Sequence, residues 1–348
     1  MSWFDDVEDD EEYSEYDESA AKVRPNPKAN KPRTKIRPEY ANALSGRVFS
    51  VDRGRYGVWV DENTEKERQL IATKSRELGK YSVVTGDWVD LVGDTTGDDG
   101  SLARIIRVQE RSTLLRRSAD DTDAVERIIV ANADQMLIVV AAANPEPRTR
   151  LVDRYLVAAF DAGITPILCI TKTDLQDPTE FLANFAGLDI LTYMSRSDQF
   201  DIEAITEQLQ GHTTVAVGHS GVGKSTLVNA LVPTAARAVG RVNDVTGRGR
   251  HTSSSTVSLR IGTGWIVDTP GVRSFGLGHI DPSNILKSFS DLAELSKDCP
   301  RGCTHLPDAP DCAIIEGVTE GKLGTNGEQR LESFQRLITT LGTDARGT

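Results

Sequence analysis

The sequence predicts an α/β domain with a largely parallel sheet, preceded by a small β-barrel and followed by a helical module built around a metal. Three observations predict it. Residues 45–112 hold five short β-like runs separated by turn signals. Residues 135–268 alternate apolar strand runs with helical stretches. Beyond that alternation, Cys299, Cys303, His305 and Cys312 fall within fourteen residues.

Taken in order, residues 1–44 lack apolar periodicity and carry Pro25, Pro27, Pro32 and Pro38. Ten acids and no base lie in 1–18, followed in 19–44 by seven bases against Glu39. A solvated, disordered arm is expected there. In 45–117, the runs GRVFSVD, YGVWVD, ERQLIA, DWVDLVG and SLARIIRV are broken at Arg53-Gly54, Thr85-Gly86-Asp87 and Gly97-Asp98-Asp99-Gly100. Five short strands in this length suit an OB-type Greek-key barrel. In 118–280, QMLIVVAAA, TPILCIT, Asp189–Tyr193, HTTVAV, TVSLRI and GWIVD read as strands. Arg150–Ala162, Thr179–Ala186, Asp201–Leu209 and Ser225–Val232 read as helices, which makes the sheet mostly parallel. In 281–348 the pattern is helical on both sides of the Cys/His cluster, near 281–297, 313–321 and 327–341.

Composition narrows the function classes. The 348 residues are 38% apolar and 26% charged, enough for two or three globular domains. The longest unbroken apolar run, Met136–Ala143, is far short of the ~20 residues of a membrane helix. The opening MSWFDDVEDD has neither the basic nor the apolar region of a secretory signal, so a cytoplasmic chain is expected. The net charge is −12, yet the bases cluster, and a local patch is what meets phosphate.

The chemistry concentrates in three motifs. Gly218-His219-Ser220-Gly221-Val222-Gly223-Lys224-Ser225 fits G-x-x-x-x-G-K-[ST] between a strand and a helix. Glycines there let backbone N–H groups curl around phosphate oxygens, and the helix N-terminus adds positive potential. Lys224 is placed for the β- and γ-phosphates and Ser225 for Mg²⁺; Thr226 belongs to the same binding segment. Asp268-Thr269-Pro270-Gly271 closes the strand GWIVD. An acid there holds Mg²⁺, and the Gly271 N–H can sense the γ-phosphate. Thr171-Lys172-Thr173-Asp174 closes TPILCIT. The Asp174 carboxylate can accept guanine N1–H and the exocyclic amine, a donor pair adenine lacks, while the Lys172 stem covers the purine.

These pieces resemble the guanine-nucleotide motifs of GTPases, but the base-reading motif precedes the P-loop by about 45 residues instead of following it. That order looks like a circularly permuted GTPase. With the barrel before it and the Cys/His module after it, residues 45–341 resemble the ribosome small subunit-dependent GTPase A (RsgA/YjeQ) family. The resemblance implies a GTP-hydrolysing factor that binds the 30S subunit and its 16S rRNA, assists late maturation and is stimulated by the subunit. A monomer, free of membrane, is expected. Gly249-Arg250-His251-Thr252 resembles the family's switch I, with Thr252, or else Ser253, sensing Mg²⁺ and the γ-phosphate. Ser195 falls where the loop backing the base is expected. Val272 stands where Ras-like proteins carry a water-orienting Gln, so unaided turnover should be slow, with His251 one candidate for the missing group. Thr171 stands where most GTPases have Asn, so weaker tethering of the base-reading loop is expected.

Four soft or borderline ligands spaced C-x₃-C-x-H-x₆-C suit a closed tetrahedral Zn²⁺ that holds its loop together. The other reading of this segment is a Cys299–Cys303 disulfide with an idle His305. Cys169 reads as a core residue. Arg47, Arg53, Arg55, Arg104, Arg107, Arg111, Arg116 and Arg117 are candidate RNA-phosphate contacts. Two other function classes fit part of the pattern: a P-loop kinase of a small molecule, and an RNA-binding assembly chaperone with negligible turnover. Asp174 and the DTPG segment argue against the first, and the intact Gly223-Lys224-Ser225 argues against lost nucleotide binding in the second.

Overall fold

The structure, a computed structural model, describes residues 42–118, 126–197, 199–233, 256–269, 275, 277–278 and 280–344. The charged segment up to residue 41, and the positions of His251, Thr252, Ser253, Gly271 and Val272, lie outside the described residues.

Strands β1 (Leu44–Asp52), β2 (Arg55–Val60), β3 (Arg68–Lys74), β4 (Trp88–Gly93) and β5 (Ala103–Val108) close into a barrel. The pairings β1–β2, β2–β3, β4–β5 and β1–β4 are antiparallel, and β3–β5 is parallel. This closed order 1-2-3-5-4 is that of an OB-type barrel. Val48, Val58, Val89, Leu91 and Ile105, alternating inward along their strands, fill its interior. A hairpin follows, β6 (Leu114–Ser118) with β7 (Glu126–Ala131). It spans positions 117 and 118, at which the sequence reading divides barrel from α/β domain.

The α/β part continues with β8 (Gln135–Ala141), α1 (Thr149–Asp161), β9 (Thr165–Thr171), α2 (Thr179–Ala183), β10 (Leu191–Met194), α3 (Ile202–Leu209) and β11 (Thr213–Val217). Next come α4 (Lys224–Leu231), β12 (Val257–Ile261) and β13 (Gly264–Asp268). The sheet runs β10-β9-β8-β11-β13-β12, parallel except for β12. Strand β8 is buried throughout. Met136, Ile138 and Val140 pack to one face with α1, and Leu137, Val139 and Ala141 to the other with α3 and α4. Coverage on both faces explains why its sequence is unbroken in hydrophobicity instead of alternating.

The C-terminal part holds α5 (Pro282–Lys287), α6 (Ser290–Leu295), α7 (Ala313–Thr319) and α8 (Gly327–Asp344). Phe289, Phe334 and Leu337 seat it on the α1 face of the sheet in one continuous core. Among the described residues no helix is long and apolar enough to cross a membrane.

Barrel and sheet are one fabric. Ser50 of β1 pairs with Val257 of β12, and Val257 pairs in turn with Asp268 at the end of β13. Beside this seam the Arg47 guanidinium bonds to the Thr213 hydroxyl and lies 5.4 Å from the Trp265 ring and 5.8 Å from Trp88. Burial lowers its pKa, with Glu62 partly offsetting that effect. Arg47 is therefore corrected: it is a buried tie between barrel and sheet, not an RNA contact. Arg111 is corrected likewise, since its side chain is buried against Asp87. Arg107 is exposed but pairs with Asp90, and Arg53, Arg55 and Arg104 are exposed. Arg116 is half-buried in β6, and the Arg117 side chain lies outside the described residues.

Candidate functional site

The loop after β11, the end of β13 and the loop after β9 meet at one edge of the sheet, the edge at which open α/β sheets bind ligands. The first follows β11. A Cβ on Gly218 would stand 2.5 Å from the Val139 carbonyl oxygen, so the chain turns off the sheet there only with glycine. Gly223 caps α4 at φ 95°, the left-handed region that side chains resist. Ser225 and Thr226 open α4 with exposed side chains, and Ser220 and Gly221 are exposed ahead of them. Val222 is buried beneath the loop, while His219 turns its Nδ1 to the Ser220 carbonyl at 2.9 Å.

The second element is the end of β13. Lys224 and Asp268 form an ion pair with both side chains largely shielded, that of Lys224 13% and that of Asp268 27% exposed. Thr269, next in sequence, is buried and donates its hydroxyl to the Ala216 carbonyl at 3.0 Å, fixing the strand end against β11. A cation that can reach phosphate and an acid that can hold a metal thus share one spot at the mouth of the first loop.

The third is the loop after β9, and it is docked on the first. The buried Thr171 hydroxyl donates to the Val222 carbonyl at 2.6 Å. Lys172, at φ 57°, donates through Nζ to the Gly221 carbonyl at 2.9 Å and also to the Asn144 carbonyl. Thr173 donates its N–H and hydroxyl to the Ser195 carbonyl at 3.1 and 3.2 Å. The exposed Asp174 accepts from the Ser197 N–H at 2.5 Å, and that bond holds its carboxyl below the usual range. Ser195 itself is buried and meets the loop through its backbone. The contact to Asp174 comes from Ser197, a backbone donor that leaves no signal in sequence.

About the expected site residues in β9, the P-loop and β13, the structure brings Thr171, Lys172, Asp174, Lys224 and Asp268 to one edge of the sheet. His251, Thr252 and Gly271 are outside the described residues. Cys169 lies in the core of β9, where burial pushes its thiol up to about 12.

A second cluster sits between α6 and α7. The ligand atoms of Cys299, Cys303, His305 and Cys312 all lie within 4.8 Å of one another. His305 Nδ1 is 3.7 Å from Cys299 Sγ and 3.6 Å from Cys312 Sγ, and these two sulfurs are 3.9 Å apart. Tetrahedral Zn²⁺ with Zn–S of about 2.3 Å and Zn–N of about 2.0 Å needs edges of roughly 3.5–3.8 Å, so the donor set fits. The cysteines are free, which removes the Cys299–Cys303 disulfide reading. Burial lowers the His305 pKa, favouring the neutral ring that ligates. Helix α8 backs the cluster through the Phe334 ring and a Gln335 Nε2 bond to the His305 carbonyl at 2.9 Å.

In space the P-loop strand β11 is central, with the acid-bearing β13 on one side and β8 then the base-reading β9 on the other. In sequence β9 comes first. This is a P-loop nucleotide-binding domain with its strand order circularly permuted. The chain matches the RsgA GTPase family model over residues 108–278. It is 35% identical over 272 residues to the small ribosomal subunit biogenesis GTPase RsgA of Ectopseudomonas mendocina, covering 76% of each chain. The RsgA of Pseudomonas syringae pv. tomato matches equally, 35% over 273 residues. Among solved structures, YjeQ from Thermotoga maritima superposes with a TM-score of 0.63 at 26% identity, over 86% of this chain and 98% of that one. YloQ, described as a circularly permuted GTPase, gives 0.61 at 26% identity, over 87% and 97%. The chain belongs to the RsgA GTPase family.

Proposed function

We propose that this protein hydrolyses GTP to GDP and phosphate on the small ribosomal subunit, assists the subunit's late maturation in the cytoplasm as a monomer, and is stimulated by it. The observation that carries the reading is the docking of the base-reading loop on the phosphate-binding loop, through Thr171 on Val222 and Lys172 on Gly221. The relatives' name, small ribosomal subunit biogenesis GTPase, supports the partner.

In this reading Gly218–Thr226 wrap the phosphates with backbone N–H groups, and Lys224 neutralises the β- and γ-oxygens. Asp174 accepts the two guanine donors, with the Lys172 stem over the base and the 195–197 loop behind it. Ser225, Asp268 and Thr252 hold Mg²⁺, which when bound offsets phosphate charge. The Gly271 N–H reports the γ-phosphate. The Val272 side chain has no polar atom with which to orient water, so basal turnover is slow, and His251 or a ribosomal group completes the site. Cys299, Cys303, His305 and Cys312 hold one structural Zn²⁺ with no open position.

The test is GTP and ATP hydrolysis by the full chain, alone and with purified 30S or 50S subunits. Strong stimulation of GTP turnover by 30S alone is expected. Absence of that stimulation overturns the ribosome-dependent reading, and equal use of ATP overturns guanine selection.

A further inference from the structure

The rim of the barrel presents an aromatic ring that the nucleotide site does not use. Tyr81, between β3 and β4, is 48% exposed although the barrel interior is well filled. Its ring is laid on a cation: the Arg111 guanidinium carbon is 5.0 Å from the ring centroid. That guanidinium is itself immobilised. Its Nε donates to Asp87 Oδ1 at 2.7 Å, and its Nη2 to Asp87 Oδ2 at 2.8 Å and to the Ser82 carbonyl at 2.7 Å, while Asp87 is completely buried. The Tyr81 backbone is fixed too, its N–H on the Leu78 carbonyl at 2.9 Å and its carbonyl taking Lys74 Nζ at 3.0 Å. Lys80 is exposed beside it.

A half-exposed ring on a guanidinium, with Lys74 held at its backbone and Lys80 next to it in sequence, is a surface of defined chemistry. The cations meet a phosphodiester backbone, and the ring meets the flat face of a base. A base offers that face only when unpaired, because a duplex keeps it stacked. We propose that Tyr81, with Arg111 against its ring and Lys74 and Lys80 beside it, is a stacking site for an unpaired RNA base. The proposal deepens the small-subunit reading given above by naming the state of the RNA that the barrel meets. The competing role for the ring is that of a cover over the Arg111–Asp87 ion pair.

The experiment measures binding of the full chain, by fluorescence anisotropy, to a labelled single-stranded RNA of mixed sequence and about a dozen nucleotides, and to a duplex of the same length. Tyr81→Ala is expected to weaken single-strand binding about tenfold while leaving duplex binding unchanged. Tyr81→Trp should retain it. Tyr81→Leu, which still covers Arg111 but has no π face, should lose it like alanine. Lys80→Gln should reduce the slope of affinity against salt concentration for single-stranded RNA. Wild-type affinity for the single strand in Tyr81→Ala or Tyr81→Leu overturns the proposal, and so does an equal loss on duplex. These arms need no GTP turnover. A failed platform with intact stimulation by 30S subunits sinks only this inference, and failed stimulation with base stacking intact sinks only the reading beneath it.

Discussion

Thr171 shows how a single hydroxyl ties two loops that lie 51 positions apart in sequence. Replacing it by valine keeps the volume and removes the donor, leaving the Val222 carbonyl short of a partner at a cost of about 1–3 kcal/mol. Thr171→Val should therefore lower the melting temperature and weaken GTP and GDP alike, as read by calorimetry. Asp174 acts differently, because its carboxylate is exposed and is held by the Ser197 N–H. Asp174→Ala should cost at least about tenfold in GTP affinity and leave ATP affinity nearly unchanged. Equal losses for both nucleotides would remove its base-reading role. Sequence spacing pointed to both residues, since the motif carries them on one strand end. It could not show that Thr171 points at the P-loop, nor that Arg47 is buried, because the partners Val222 and Thr213 are distant in the chain.

Among the elements, the strands of the barrel and sheet were readable because turn residues punctuate them and β8 is apolar on both faces. The hairpin β6–β7 was not singled out. Its runs LLRRS and ERIIVA carry a strand signal, but the expected domain boundary, between positions 117 and 118, fell inside the first of them. The Cys/His module was legible from ligand spacing alone, and its support from α8 was not. Cys303→Ser or His305→Ala should abolish one bound zinc per chain in elemental analysis and loosen the C-terminal helices in hydrogen exchange. Retention of that protection without metal would mean packing, not ligation, holds the module.

Helix α8 is also bound to α1 through Arg336 and the buried Asp153, 3.1 Å apart. Burial raises the Asp153 pKa and Arg336 pulls it back. In Arg336→Ala the native carboxyl titrates higher still. The native state then keeps a proton that the unfolded chain releases as pH climbs past about 4, so stability falls as pH rises through that window. Denaturant unfolding should show a deficit of about 3 kcal/mol at neutral pH that narrows below about pH 4.

At the scale of the whole molecule, the barrel is less separable than five turn-bounded runs suggest. Trp265 is buried, packs edge-on against Trp59 of the barrel and stacks with Arg47 and Arg260, and Arg260 reaches back to Glu67 and Asn63. Deleting residues 45–112 would uncover Trp265 and strip β12 of β1, leaving it only β13. The truncated chain should lose thermal stability and weaken nucleotide binding along with any response to 30S subunits, whereas a freely hinged barrel would leave GTP affinity intact. The seam itself has a thermodynamic corollary. Ser50, Val257 and Asp268 stand in successive register pairs, and Asp268 holds Lys224. Any energy passed along that short ladder passes equally both ways. If GTP alters the grip of the barrel on its RNA by some factor, then RNA on the barrel alters the grip of the P-loop on GTP by the same factor, so one titration run in each direction must return a single number.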